Sequence, residues 1–261
     1  HTVTPIGDDK FVVIGGYTRE GDETVPTSSI EVIDMRAEPG SRVRPLLNFD
    51  GQAVELNIAR ALHNATYRPA DDQIVVIGGV GADGVQNVLR SIETISLADE
   101  IKATRAGKLD APRAQHEAVL LGEEGSPIWV LGGRGLIPPE GLGSRLSTEL
   151  VRATSEGVAV DPAESMGTPR YDFAAERVGP TQVVVCGGYT SVEEDNGAPT
   201  DNCQVGNHER GQWSRAWSMG RPRGGLTMTA LTQSRDLTVL GGRDDSGSTV
   251  AKPTRIVYRS G

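Results

Sequence analysis

Phe11-Val-Val-Ile-Gly15-Gly16 is a four-residue apolar run that ends in two glycines, and the chain repeats it four more times. The copies are Ile74-Val-Val-Ile-Gly78-Gly79, Ile128-Trp-Val-Leu-Gly132-Gly133, Val183-Val-Val-Cys-Gly187-Gly188 and Leu237-Thr-Val-Leu-Gly241-Gly242. First glycines follow one another at steps of 63, 54, 55 and 54 residues. A period that regular is the mark of a repeat architecture, in which one small unit is stacked several times. The glycines themselves read as structural: a strand that ends in a tight turn or meets another backbone closely has no room for a β-carbon.

Upstream of each pair stands a second shared phrase: Arg60-Ala-Leu-His63, Arg113-Ala-Gln-His116, Arg170-Tyr-Asp-Phe173 and Arg223-Gly-Gly-Leu226, with proline before the last three arginines. His1-Thr-Val-Thr matches the same phrase without its arginine. Downstream comes a variable loop rich in Gly, Asp and Ser, which is turn chemistry. Then a third run follows, Ile30–Asp34, Ile92–Ser96, Thr148–Arg152, Asn202–Val205 and Thr254–Tyr258, whose partial alternation of apolar and polar residues is that of a strand. A fourth, ragged strand lies near Arg42–Leu46, Ile101–Thr104, Gly157–Val160 and Gln212–Arg215. No stretch has a helical period. Four-stranded antiparallel units of about fifty residues, each too thin to bury its own faces, pack side by side as a β-propeller. The expected fold is therefore all-β, one domain over 1–261, with blades at about 1–56, 57–109, 110–166, 167–219 and 220–261.

The apolar-run-plus-Gly-Gly phrase, the upstream Pro-Arg-x-x-His, and Trp213 followed by Met219-Gly-Arg-Pro-Arg223 resemble the kelch repeat over essentially the whole chain. The usual Tyr-Asp and Trp of the third and fourth strands are mostly missing, Trp213 being the one good match, which places the resemblance with divergent, bacterial kelch-like proteins. Such rings have six or seven blades. Here four units are complete and the fifth stops after its third strand, so the expectation is a segment of a larger ring or a ring of five completed from elsewhere. Unit one is the longest, and its extra residues, Asn48–Asn57, are an expected place for a binding surface.

The net charge of −9 would repel a phosphate backbone, which argues against nucleic acid as a partner. No apolar run is long enough to span a bilayer. The chain opens on a repeat unit without the charged and apolar regions of a signal peptide. Two cysteines, Cys186 and Cys203, replace paired and mostly apolar positions on adjacent strands; a disulfide and two packed thiols are both open readings.

Chemistry-bearing residues fall into columns. Arg60, Arg113, Arg170 and Arg223 could grip an acidic ligand, or tie one blade to the next through carbonyls or a neighbouring carboxylate. His1, His63 and His116 share a column beside the expected channel, but it continues as Phe173 and Leu226 with no carboxylate or cysteine, so no metal and no cofactor is expected. His208 reads as a solvated surface residue. Arg19–Glu23, Ala82–Gly84, Glu193–Gly197 and Asp244–Gly247 carry carboxylates among glycines, yet none has the twelve-residue calcium-loop pattern. No nucleophile elbow or phosphate loop occurs. The reading is a non-catalytic scaffold that offers its loops to a protein or glycan partner, outside the cytoplasm: secreted, periplasmic or at the cell surface. The alternatives are an enzyme, with kelch-like sialic acid mutarotases and propeller oxidases as what the resemblance offers, or one module of a larger surface protein.

Overall fold

The computed structural model describes residues 1–82, 84–98, 100–122, 126–137, 141–190, 197–230 and 236–257. It is all-β, a β-propeller with five antiparallel blade sheets whose strands lie side by side in chain order. The first holds Thr2–Gly7, Lys10–Ile14, Ile30–Asp34 and Val43–Pro45, and the second Asn64–Arg68, Gln73–Ile77, Ser91–Ser96 and Lys102–Lys108. The third holds Glu117–Leu120, Ile128–Leu131, Thr148–Thr154 and Gly157–Ala163. The fourth holds Ala174–Arg177, Gln182–Cys186, Asn202–Asn207 and Gln212–Trp213, with Trp217–Ser218 also on its third strand. The fifth has three described strands, Gly224–Ala230, Asp236–Arg243 and Thr254–Val257. The single helical element described is a 3-10 turn, Pro39–Ser41. No helix among the described residues is long and apolar enough to cross a membrane.

The variable loops are more ordered than their glycine-rich composition implies. After four of the five glycine pairs the chain folds into a two-stranded ribbon: Tyr17–Glu20 with Glu23–Pro26, Val80–Gly81 with Gly84–Val88, Arg134–Ile137 with Gly141–Ser144, and Tyr189–Thr190 with Ala198–Pro199.

Contacts group the chain into two compact units, His1–Ala114 with Arg152–Val160, and Gln115–Val151 with Asp161–Gly261. In the first, Val12, Ile14, Ile30 and Val32 of the first sheet pack on Ile74, Val76 and Ile95 of the second. In the second, Trp129, Leu131 and Leu150 pack on Val183 and Val185, while on the other face of the fourth sheet Val184, Cys186 and Cys203 pack on Leu237, Val239 and Ile256. A second strand buried on both faces has no need to alternate, and this is why the runs before the glycines are continuously apolar. The unit-one insertion also serves this core. Val54 and Leu56 are buried in it, and the Asn57 and Ile58 amides donate to the Glu93 carboxylate at 2.7 and 3.1 Å, while Phe49 at the tip and the alternate residues Ala53 and Glu55 face solvent.

The glycine pairs and the arginine phrases form one joint. The amide of the second glycine donates to the carbonyl of the next unit's arginine: Gly16 to Arg60 at 2.8 Å, Gly79 to Arg113, Gly133 to Arg170 and Gly188 to Arg223, each at 2.9 Å. The same arginine sends its guanidinium to the first glycine of its own sheet, Arg60 to the Gly78 carbonyl at 2.9 Å, Arg170 to Gly187 at 2.8 Å and Arg223 to Gly241 at 3.3 Å. Close approach is what demands glycine. A β-carbon at Gly187 would stand 2.7 Å from the Arg223 carbonyl and 2.9 Å from Leu226 Cδ2, and one at Gly15 would stand 2.6 Å from the Arg60 carbonyl.

Cys186 and Cys203 are direct partners across the second and third strands of the fourth sheet, with sulfurs 2.02 Å apart in a fully buried disulfide. Two results are expected. Gly21→Ala, at a φ of +62° with open space around it, lowers the unfolding free energy by about 1 kcal/mol in a urea titration; Gly187→Ala, at +66°, loses about 1–3 kcal/mol more because its β-carbon strikes backbone. Thiol counting on denatured, unreduced protein finds none free, and reduction lowers stability by about 3 kcal/mol for a loop of this length.

Candidate functional site

The joint also sets the corner that follows each arginine. Two residues after it the backbone is left-handed, at Leu62 (φ +54°), Gln115 (+51°), Asp172 (+53°) and Gly225 (+63°), and the chain there turns into the first strand of its sheet. Three of these four are not glycine, and such conformations gather at sites where surrounding structure holds them in place. In the second unit the corners are laced together, Asp172 donating its amide to the Gln115 carbonyl at 2.9 Å and Gly225 donating to Asp172 at 2.8 Å.

One corner carries a distinct set of side chains. Tyr171 and Tyr189 exchange backbone hydrogen bonds at 3.1 and 2.9 Å, and their rings stack at 5.5 Å between centroids. The Arg134 guanidinium lies 5.3 Å from the centre of the Tyr171 ring, in cation–π contact. Tyr189 rests in the space that Gly224 leaves, since a β-carbon there would come within 2.0 Å of its ring. Gln115 donates from its side chain to Asp172, and Gln115 Oε1 is buried without a partner among the described residues. The equivalent corner of the first unit shows the contrast. Ala61 and Val80 make the same backbone pair at 3.0 and 2.8 Å, with Ala114 and Leu62 against them, and the cluster is apolar.

Burial raises three carboxyls of the second unit, Asp172 at the tyrosine corner and Glu117 and Glu176 beyond it. Glu117, at the start of the third sheet, is pushed up to about 8 by burial and then by the negative charges of Asp172 and Glu176. Asp172 is raised by burial against the opposing pull of Arg134 and the Gln115 hydrogen bond. Glu176 is raised by burial against hydrogen bonds from backbone and the charge of Arg177. Burial, then Asp172 and Tyr171, also push the Tyr189 phenol up. At neutral pH the Glu117 carboxyl therefore holds its proton, a donor where an exposed glutamate would be an acceptor. No three His, Cys, Asp or Glu among the described residues are placed to hold a metal ion.

The residues singled out from sequence lie elsewhere. Arg60, Arg113, Arg170 and Arg223 are all 0–1% exposed. Besides their own glycine carbonyls, Arg60 reaches Ser91 and the buried Glu93 carboxylate at 2.5 Å, Arg170 reaches Asn202 Oδ1 at 2.9 Å, and Arg223 reaches Thr254 Oγ1 at 2.9 Å. Burial lowers the Arg170 guanidinium to about 10. His63 is a wedge between sheets, its Cε1 facing the space above Gly15 and its Nε2 3.2 Å from Thr2 Oγ1. Burial, then Arg60 and the terminal amine, lower it to about 3, so it is neutral. Phe173 and Leu226 fill the same place over Gly132 and Gly187, which is why the column tolerates imidazole, phenyl and isobutyl alike. His116 is buried and His1 exposed. His208 is not simply solvated, for its ring meets Trp129 edge-on at 6.1 Å. Asp244 is absorbed by its own turn, accepting from Ser246 and Ser248 and pairing with Arg221 at 2.6 Å. Asp83 and Glu193–Asn196 lie outside the described residues.

None of the tyrosine-corner residues stands out in a search for repeated motifs. They are where the repeat is broken: Ala61, Ala114, Tyr171, Gly224 after the arginines, and Tyr17, Val80, Arg134, Tyr189, Arg243 after the glycines.

No protein-family model and no curated protein sequence matches the chain. Among solved structures, that of YjhT superposes with a TM-score of 0.74 at 12% identity, over 97% of this chain and 79% of that one. The shared architecture is the β-propeller. At that identity the likeness speaks for the fold alone, and the site stands on its own geometry.

The raised carboxyls give a pH test. A group whose folded pKa exceeds its unfolded value binds more protons in the native state, so its contribution is present below the unfolded value and is lost as pH rises through the folded one. For Glu117 that window runs from about 4.5 to about 8, with Asp172 and Glu176 acting in the same direction. His63 works oppositely, adding stability as pH rises from about 3 to 6.5. Glu117→Gln, which stays neutral, is expected to be more stable than the parent at pH 8 and to lose that margin at pH 5, measured by urea denaturation at both.

Proposed function

We propose that this propeller is a binding protein of kelch-like type whose ligand is a glycan, seated at the Tyr171–Asp172 corner. The carrying observation is the Arg134–Tyr171–Tyr189 stack with Asp172 and Gln115 beside it. The stacked rings offer an apolar edge ending in phenol hydroxyls, while a carboxylate, an amide and a guanidinium supply the fixed polar contacts that orient hydroxyls. Gln115 Oε1, buried and without a partner among the described residues, is an acceptor a ligand hydroxyl would satisfy. The buried arginines are assigned to the joint and not to the ligand. The kelch-like reading is supported by the Pro-Arg-x-x-His and Gly-Gly phrases now seen to form that joint, and a location outside the cytoplasm by the buried disulfide.

A second reading has its own observation. Glu117 keeps a proton to about pH 8, the property of a general acid that works near neutrality. An enzyme of mutarotase type, moving protons on a bound sugar, would use it so.

A glycan array followed by calorimetric titration tests the first reading. Asp172→Asn and Arg134→Gln are expected to weaken binding at least tenfold with little change in melting temperature, whereas Arg170→Met lowers the melting temperature because it strips two carbonyls of their donor. Binding unchanged in the first two variants overturns the site. Glu117→Gln separates the readings: a scaffold retains its function, and an enzyme retains binding while losing turnover.

A further inference from the structure

The second sheet breaks the repeat in a place of its own. In the row where the first, third and fourth sheets pair Val12 with Val32, Trp129 with Leu150 and Val184 with Val205, it pairs Val75 with Thr94, and Thr94 pairs onward with Thr104. The next row out is Gln73, Ser96 and Lys102. Residues directly opposite one another share a face, so three strands present one polar surface there. Residues Arg152–Val160, which group with the same compact unit, stand against it. Together they enclose a groove of about 390 Å³, within the size range of small-molecule sites.

The far wall of the groove is seated on main chain. The register between Ser91–Ser96 and Lys102–Lys108 shifts, Ile92 facing Gly107 and Glu93 facing Arg105, so Ala106 is an extra residue, a β-bulge. A β-carbon at Gly157 would stand 2.4 Å from the Ala106 carbonyl oxygen, and one at Gly107 would stand 2.6 Å from Val158 Cγ2. Bulges re-aim the side chains beside them, and Arg105 lines the groove. Five charged residues line it in all, and most are spoken for: Glu100 pairs with Lys102 at 2.6 Å, and Asp71 with Arg68 at 3.2 Å. The other two, Arg105 and Glu156, make no ion pair among the described residues, with each other or with any other group. Asp71 Oδ1 is also buried without a partner among the described residues. Thr94, Ser96, Thr104, Thr154 and Ser155 add hydroxyls, and no aromatic ring is among the lining residues described.

We infer that this groove binds a small zwitterion of amino-acid or short-peptide type, its carboxylate on Arg105 and its ammonium on Glu156. A guanidinium takes a carboxylate through two parallel N–H donors, and the hydroxyls of both walls serve the amide between the charged ends. A simple anion leaves Glu156 facing it, a simple cation leaves Arg105, and a sugar ring finds no aromatic face. The site is separate from the tyrosine corner, whose residues belong to the second unit.

The test titrates alanyl-alanine into the isotope-labelled chain and follows the backbone amide shifts, with the N-acetyl form and the C-terminal amide of the same dipeptide beside it. Saturable shifts are expected at residues 104–107 and 154–157, and each blocked form is expected to bind at least fivefold more weakly. Arg105→Gln should weaken alanyl-alanine at least fivefold yet leave the C-terminal amide, which has no carboxylate to lose, within about twofold; Glu156→Gln should do the same with the N-acetyl form. Both side chains are exposed, so both variants keep the parent's melting temperature. The inference is overturned by the absence of saturable shifts up to about 20 mM dipeptide, or by an affinity that neither substitution moves. Equal binding of the N-acetyl form also overturns it, as a site for anions alone, and so do shifts confined to Tyr171 and Asp172, which would seat the peptide at the tyrosine corner.

Discussion

One arginine carbonyl and one glycine amide join each of four glycine pairs to the arginine phrase that follows it, and most of what the sequence repeats serves that contact. The carbonyl of the arginine takes the amide of the glycine behind it, and the guanidinium returns to the glycine of its own sheet. Both partners are buried and both are polar, so neither can be left unpaired without a penalty of about 1–3 kcal/mol. Proline precedes three of the four arginines, glycine clears the space, and the wedge residue three positions on fills what remains. Hydrophobic burial supplies the stabilisation between sheets, but the joint fixes their registration.

This explains how far the sequence could be read. The all-β class, the five sheets and the strand order are visible in it, because strands buried on both faces print continuous apolar runs and the joint prints Gly-Gly and Arg at a fixed interval. What the arginines and histidines do is not visible. A repeated column of charge looks like a site when only the spacing is known; in the structure Arg170 is 0% exposed and donates to the Gly187 carbonyl. The His63 column is buried between strands, where His63, Phe173 and Leu226 take the same place over Gly15, Gly132 and Gly187. The insertion at Asn48–Asn57 misleads in the other direction, since nothing local reveals that Val54 and Leu56 turn inward. The glycine-rich loops hide ribbons because their strands pair only with each other and are short.

The candidate site is legible only by subtraction. Tyr171, Asp172 and Tyr189 are the places where the second unit departs from the pattern that the first unit keeps apolar at Ala61, Leu62 and Val80. A reader who looks for repeated residues passes over them. Burial raises the Glu117, Asp172 and Glu176 carboxyls of that unit, and perturbed acids gather at functional sites.

The corners after Arg60 and Arg170 share one main-chain frame, the backbone pair Ala61–Val80 in one and Tyr171–Tyr189 in the other, although their side chains differ. The alanine and the tyrosine there therefore sit on interchangeable sockets. A lineage carrying this scaffold can exchange the occupants of one socket without unsettling its neighbours, and so acquire a new ligand preference by a handful of substitutions, while the fasteners that surround them stay under selection for assembly.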